Sequence, residues 1–188
     1  GLVYVVMLGR EEPTPESTRF FDLNPSSTQL TSQRGVEWFP SLSPDGRSLV
    51  YVSGTFGEFD IYWRRVGGGN VTNLTEDSPE NETQPSFSPN GELVAFQSGG
   101  EGGIFVMGAT GENRRPLTDF GFNPTWSPES SEIAFATEAV EVSPGGRSGT
   151  SALWKVNVAG QQEQIFEGDA VQPHWSPNGH RIAYWMQE

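Results

Sequence analysis

The chain has 188 residues, with 24 acidic against 11 basic side chains and a formal net charge of −13. That balance repels a phosphate backbone or an anionic bilayer, which argues against nucleic-acid binding. Cysteine is absent, so thiol catalysis, disulfides and Cys-ligated zinc are excluded together, while the redox compartment stays open.

Apolar residues make up 34% of the chain, a low share that 12% aromatic residues offset because each ring buries a large area; the chain reads as folded. The 23 glycines and 14 prolines fall between short β-branched and aromatic runs, as turns punctuate strands, and no stretch sustains a helical period.

In chain order, residues 1–18 come first. GLVYVVML is apolar from Leu2 to Leu8, far short of the roughly 20 residues that span a bilayer. Two readings are open: the remnant of a membrane anchor, or a buried strand resembling SLVYV further on. GREEPTPEST, residues 9–18, is dominated by charge, Pro and Ser/Thr and reads as a solvated, acidic linker.

The rest of the chain, residues 19–188, repeats. FPSLSPDGRSLVYVSG from Phe39, QPSFSPNGELVAFQSG from Gln84, NPTWSPESSEIAFATE from Asn123 and QPHWSPNGHRIAYWMQ from Gln172 align without gaps, at spacings of 45, 39 and 49 residues. A period near 40 with about four strand-sized runs per unit predicts four-stranded antiparallel propeller blades. In each unit the run before Ser-Pro is strand a, and the apolar run after it, such as Ser48 to Ser53, is strand b. Strand c is Asp60 to Arg64, Gly103 to Met107 and Ala152 to Val156, and VTNLT, RPLT and EQIF supply strand d. RFFDLNPSSTQLT, residues 19–31, fits the same c and d pattern, so the chain opens with half a blade and closes with the other half. Four blades are counted, and a larger ring of about six to eight is favoured, which would leave the terminal blade unpaired and adhesive.

The a–b turn is encoded locally. In Pro44-Asp45-Gly46, Pro89-Asn90-Gly91 and Pro177-Asn178-Gly179, Pro presets φ, Asp or Asn bonds its own backbone, and Gly accepts positive φ. Ser127-Pro128-Glu129-Ser130 departs from this, and a non-glycine residue at positive φ costs about 1 kcal/mol or more; Ser130→Gly is therefore expected to stabilise the fold. The same unit carries the longest insertion, residues 138–151. Insertions in repeat arrays map to loops on one face, often the binding face, which makes Glu138, Val140, Glu141 and Arg147 candidates for partner contact.

With its P-x-aromatic-Ser-Pro-Asp/Asn-Gly hairpins and recurring Asn/Arg-x-x-Leu-Thr, the chain resembles the TolB-type β-propeller repeats over residues 19–188, about nine-tenths of its length. The resemblance implies the fold; function lives in sites grafted on it. Propellers of this family serve as periplasmic Tol adaptors, as tethered extracytoplasmic domains of kinases and transcription regulators, and as gates of prolyl-oligopeptidase-like enzymes. The order of apolar end, acidic linker and blades looks most like the tethered type.

Catalytic chemistry finds little support. His174 occupies the place of Ser41, Ser86 and Thr125, and His180 that of Arg47, Glu92 and Ser131, both ordinary surface positions of a repeat. No G-x-S-x-G occurs. EDSPENE, residues 76–82, concentrates Glu76, Asp77, Glu80 and Glu82 but matches no EF-hand spacing, so it reads as a solvated loop. The sequons at Asn70, Asn73 and Asn81 read as repeat pattern. Trp126 and Trp175 align with Phe87 and Leu42 and are expected in the core; Trp63 and Trp154 fall in strand c. Trp38 and Trp185 lie off the pattern and are candidate exposed anchors for a partner. The expectation is a non-catalytic module without cofactor or metal, extracytoplasmic in the periplasm and tethered through its N-terminus to the inner membrane, that binds a protein or peptide. The gating propeller of a serine peptidase whose catalytic domain lies outside these residues is the alternative.

Overall fold

The computed structural model describes residues 3–7, 29–31, 35–55, 58–99, 102–139 and 149–186. Their regular structure is all strand. Val3–Met7 forms β1. Blade one holds β2 (Val36–Leu42), β3 (Ser48–Thr55), β4 (Glu58–Arg65) and β5 (Val71–Asn73). Blade two holds β6 (Glu82–Phe87), β7 (Leu93–Ser98), β8 (Ile104–Gly108) and β9 (Arg115–Pro116). Blade three holds β10 (Phe122–Trp126), β11 (Glu132–Ala136), β12 (Leu153–Asn157) and β13 (Gln162–Phe166). Blade four begins with β14 (Val171–Trp175) and β15 (Arg181–Trp185). Each of the first three blades is an antiparallel meander in chain order, a-b-c-d, and the fourth sheet has the order β1-β15-β14. Sheets of this kind packed face to face around a common cavity make a β-propeller.

Of the two readings of GLVYVVML, the structure takes the strand. Val3–Met7 pairs antiparallel with β15, Val5 opposite Ala183, in the place that strand c takes in the other blades. Among the described residues no helix is long and apolar enough to cross a membrane. Residues 3–7 add a third strand to the last blade; of RFFDLNPSSTQLT, expected to supply its strands c and d, residues 19–28 lie outside the described residues and 29–31 carry no strand.

The turns show why the Ser-Pro pattern recurs. Each Ser hydroxyl accepts the N–H that opens strand b: Ser48 N to Ser43 Oγ at 2.9 Å, Leu93 N to Ser88 Oγ at 2.9 Å, Arg181 N to Ser176 Oγ at 3.0 Å. The same hydroxyl donates to the Asp45, Asn90 or Asn178 side chain. Gly46, Gly91 and Gly179 sit at φ of 68°, 75° and 75°. Ser130 holds the same conformation, φ 59°, without glycine's freedom. Its hydroxyl, however, accepts Asn90 N–H of the preceding blade at 3.0 Å. The expected gain from Ser130→Gly is thereby trimmed, whereas Ser130→Ala loses that bond and keeps the strain. In urea melts, Ser130→Gly should be the more stable of the two by about 1 kcal/mol; equal stability would mean that the left-handed turn costs nothing.

The Leu-Thr of strand d has a mechanical role as well. β5 and β9 end early, and the next strand-c N–H is taken by a buried threonine: Ile61 N to Thr75 Oγ1 at 3.0 Å and Ile104 N to Thr118 Oγ1 at 2.7 Å. Those hydroxyls pass their own protons to Asp60 Oδ1 and to the Phe120 carbonyl.

The core lies between blades. Phe87, Val94, Phe96 and Met107 of blade two pack on Val50 and Ile61 of blade one. Trp126, Ile133 and Phe135 of blade three pack on Ala95, Ile104 and Val106. Trp175, Ile182 and Tyr184 of blade four pack on Ala134, Ala136 and Leu153. Blades two, three and four thus each set an aromatic-containing face against aliphatic residues of the blade before. Among the described residues no apolar cluster joins blade four to blade one.

Candidate functional site

Strand a of every blade faces the axis and is bent there. Phe39, Gln84, Asn123 and Gln172 adopt φ of 50°, 55°, 56° and 48°, each followed by proline, and the a–b register shifts across each of these pairs. A side chain at positive φ is uncommon and costs energy. Its fourfold recurrence makes the bulge a designed feature that turns the strand ends toward the axis. The signal was in the sequence: proline inside a strand is confined to edges and bulges.

The four bulges line an open axial cavity of about 420 Å³. Its lining repeats the same three positions from each blade, for example Gln84, Pro85 and Ser86, and among the described residues includes no Asp, Glu, Lys or Arg. Gln84 Oε1 accepts Asn123 N–H at 2.6 Å, which ties two bulges across the blade boundary, while Asn123 Nδ2 is buried without a partner. His174, at the position of Ser86 and Thr125, is exposed; its Nδ1 lies 3.0 Å from the Trp175 carbonyl, to which it can donate. A second cavity of about 440 Å³ shares Ser86, Thr125 and His174 with the first and continues to the turn face between Pro89, Pro128 and Pro177.

The other sequence candidates are not gathered at one place. Glu138 is exposed beside the axial end of blade three's b–c connection, with its N–H on Ser151 Oγ; Val140, Glu141 and Arg147 lie outside the described residues. Trp38 is 45% exposed and stacks near Phe59 at 5.4 Å between centroids. Trp185, expected to be exposed, is half-buried, because its indole N–H reaches back 2.7 Å to Gln172 Oε1 across the bulge. Trp126 and Trp175 are buried, 5% and 9% exposed, while Trp63 and Trp154 are half-buried on strand c. His180 is exposed. Asn73 and Asn81 use their side chains inside the fold, Asn73 donating to Asp60 and Asn81 accepting Phe59 N–H.

EDSPENE is less uniform than its sequence suggests. Asp77 is open to solvent and bridges Arg114 at 3.3 Å, whereas Glu82 is 2% exposed. Among the described residues no cluster of acidic and histidine side chains is arranged to hold a metal ion. Burial raises the Glu82 carboxyl above the usual range; hydrogen bonds from Ser78 and Ser98 and the charge of Arg114 oppose that, and Asp60 adds to it. Oε2 has no partner. Because the folded state holds this proton more tightly than the unfolded one, its contribution is fully present below the unfolded pKa and is lost as pH rises through the folded value. Glu82→Gln should therefore be the more stable protein at pH 7, by on the order of 1 kcal/mol. That advantage should disappear near pH 4, about the unperturbed carboxyl range; a pH-independent difference in melting would show that charge is not the cause.

No protein-family model matches the chain. A TolB homologue of Chlorobium chlorochromatii is 34% identical over 113 residues, covering 58% of this chain and 25% of the relative. Dipeptidyl-peptidase 5 of Porphyromonas gingivalis is 28% identical over 165 residues, covering 77% and 23%. Among solved structures, TolB of Acinetobacter baumannii superposes with a TM-score of 0.67 at 22% identity, over 84% of this chain and 39% of that one. The chain spans between about a quarter and 57% of the length of the curated relatives it matches. Sequence and architecture thus agree that these residues are consecutive β-propeller blades similar to those of TolB-type proteins.

Proposed function

We propose that this chain is a non-catalytic propeller module that binds a protein or peptide partner outside the cytoplasm, as a tethered sensor or a Tol-like adaptor. The observation that carries the reading is the axial cavity: proline bulges from four blades converge on a space lined by the four prolines, Phe39, three amides, three hydroxyls and one imidazole. Such a lining offers hydrogen bonds without the charge that fills the outer surface. Insertions in repeat arrays often carry specificity, which singles out the longest one in the sequence, residues 138–151, and the acidity of the whole favours a basic or neutral ligand. Similarity to TolB-type proteins supports a periplasmic setting.

The domain immobilised at physiological salt should retain a partner from periplasmic extract. Deleting residues 140–149 should weaken that retention; capture that is unchanged by the deletion removes this loop from the account. A second reading, the gating propeller of a serine peptidase, is favoured by the similarity to a dipeptidyl-peptidase. Peptide hydrolysis by a longer form of the protein, inhibited by a serine-directed reagent, would select it.

A further inference from the structure

The two Asn-Gly turns carry a chemistry that the fold restrains unequally. In Asn90-Gly91 and Asn178-Gly179 the side-chain amide stands next to a backbone nitrogen that no Cβ shields. Both turns hold that nitrogen alike, Gly91 N donating to the Ser88 carbonyl at 2.8 Å and Gly179 N to the Ser176 carbonyl at 2.9 Å. Both also hold the amide oxygen: Asn90 Oδ1 accepts Ser88 Oγ and Glu92 N–H, and Asn178 Oδ1 accepts Ser176 Oγ and His180 N–H. The difference lies in the remaining donors. Asn90 Nδ2 donates to Glu92 Oε2 at 3.1 Å, and the Asn90 N–H donates to Ser130 Oγ of the next blade at 3.0 Å. Asn178 has His180 where Asn90 has Glu92, both Asn178 and His180 are exposed, and among the described residues neither clamp is repeated there.

We propose that Asn178 is a site of spontaneous deamidation and that the Glu92 carboxylate protects Asn90 from the same reaction. When the turn opens, Gly179 N gives its proton to water and attacks Asn178 Cγ, and the side-chain nitrogen leaves as ammonia. A second water opens the cyclic imide at one carbonyl to aspartate or at the other to isoaspartate. Net, one amide and one water become one carboxylic acid and ammonia. The aspartate product suits the fold, because blade one already has it: Asp45 Oδ1 accepts Ser43 Oγ at 2.6 Å and Arg47 N–H at 3.0 Å, the bonds that Asn178 makes to Ser176 and His180. The isoaspartate product does not, since its extra backbone methylene parts the groups that one oxygen now joins. Either product is ionised at neutral pH. The new charge stands near Glu129, whose Oε1 would lie 3.4 Å from a Cβ on Gly179, and at the rim of the second axial cavity, which Ser176 and Pro177 line.

The folded chain, aged at mildly alkaline pH and then digested for peptide mapping by mass spectrometry, should show Asn178 converted about tenfold faster than Asn90, the effect of one or two hydrogen bonds on the opening step. His180→Glu should slow conversion of Asn178 several-fold, and Glu92→His should speed that of Asn90 by as much. Both positions are exposed, and cooperative melting checks that each variant is folded. Peptides excised before ageing should lose the difference, because the clamp needs the turn. Equal rates at the two asparagines in the folded chain overturn the proposal. The same ratio surviving in the excised peptides also overturns it and assigns the difference to neighbouring sequence, and rates indifferent to the two substitutions overturn the role of the carboxylate.

Discussion

Trp126→Ala should cost about 3–5 kcal/mol in equilibrium unfolding, the range for removing a large aromatic side chain from a packed core. The same truncation at the homologous Leu42, which is 56% exposed, should stay within about 0.5 kcal/mol. The two positions align in the repeat and each follows a proline bulge, but blade two covers Trp126, 5% exposed, whereas no described blade covers Leu42, 56% exposed. Trp126 also donates its indole N–H to the Ser86 carbonyl at 2.9 Å, so its removal strips an acceptor at the blade boundary as well as apolar contact. Urea midpoints and slopes for both variants decide the matter. A large cost at Leu42 would mean that an intramolecular neighbour covers it.

Gly121→Ala should destabilise the fold by about 2–5 kcal/mol, the sum of a strained backbone and an overpacked core. Gly121 has φ 122°, and a Cβ there would stand 2.4 Å from Phe135 Cδ2 and 3.2 Å from Ile104 Cγ1. Phe135 is fully buried and held edge-on by Phe120 at 5.5 Å, so the ring has nowhere to go. Gly46→Ala is the control: φ is 68° with open space around it, and only the conformational cost of about 1 kcal/mol remains. Thermal melts that rank the two equally would contradict the packing between blades two and three.

The parts of this architecture that local chemistry decides were legible in the sequence. Ser-Pro-Asp-Gly and Ser-Pro-Asn-Gly state a turn because each residue's contribution is made within five residues, and the strand ends fall within one or two residues of those expected. The left-handed conformation at Ser130 followed from alignment with Gly46, Gly91 and Gly179. What was not legible depends on other blades. The bond from Asn90 to Ser130, the burial of Glu82 within an acidic loop and the capture of Trp185 by Gln172 arise only when strands distant in sequence are brought together. The axial bulges fall between: proline within a strand announces a bulge, but that four of them converge on one cavity requires the ring. For GLVYVVML composition could not choose, since a short apolar run serves a strand or the end of a membrane helix equally well.

Each blade, on this account, is held by the neighbour it leans on, and native-state hydrogen exchange tests that most directly. The amides of β7 and β11, each packed between two described blades, should exchange slowest, while those of β3, which packs on one described blade only, should open at lower free energy although they have the same strand partners. Protection of Leu49 to Val52 equal to that of Val94 to Gln97 would contradict it.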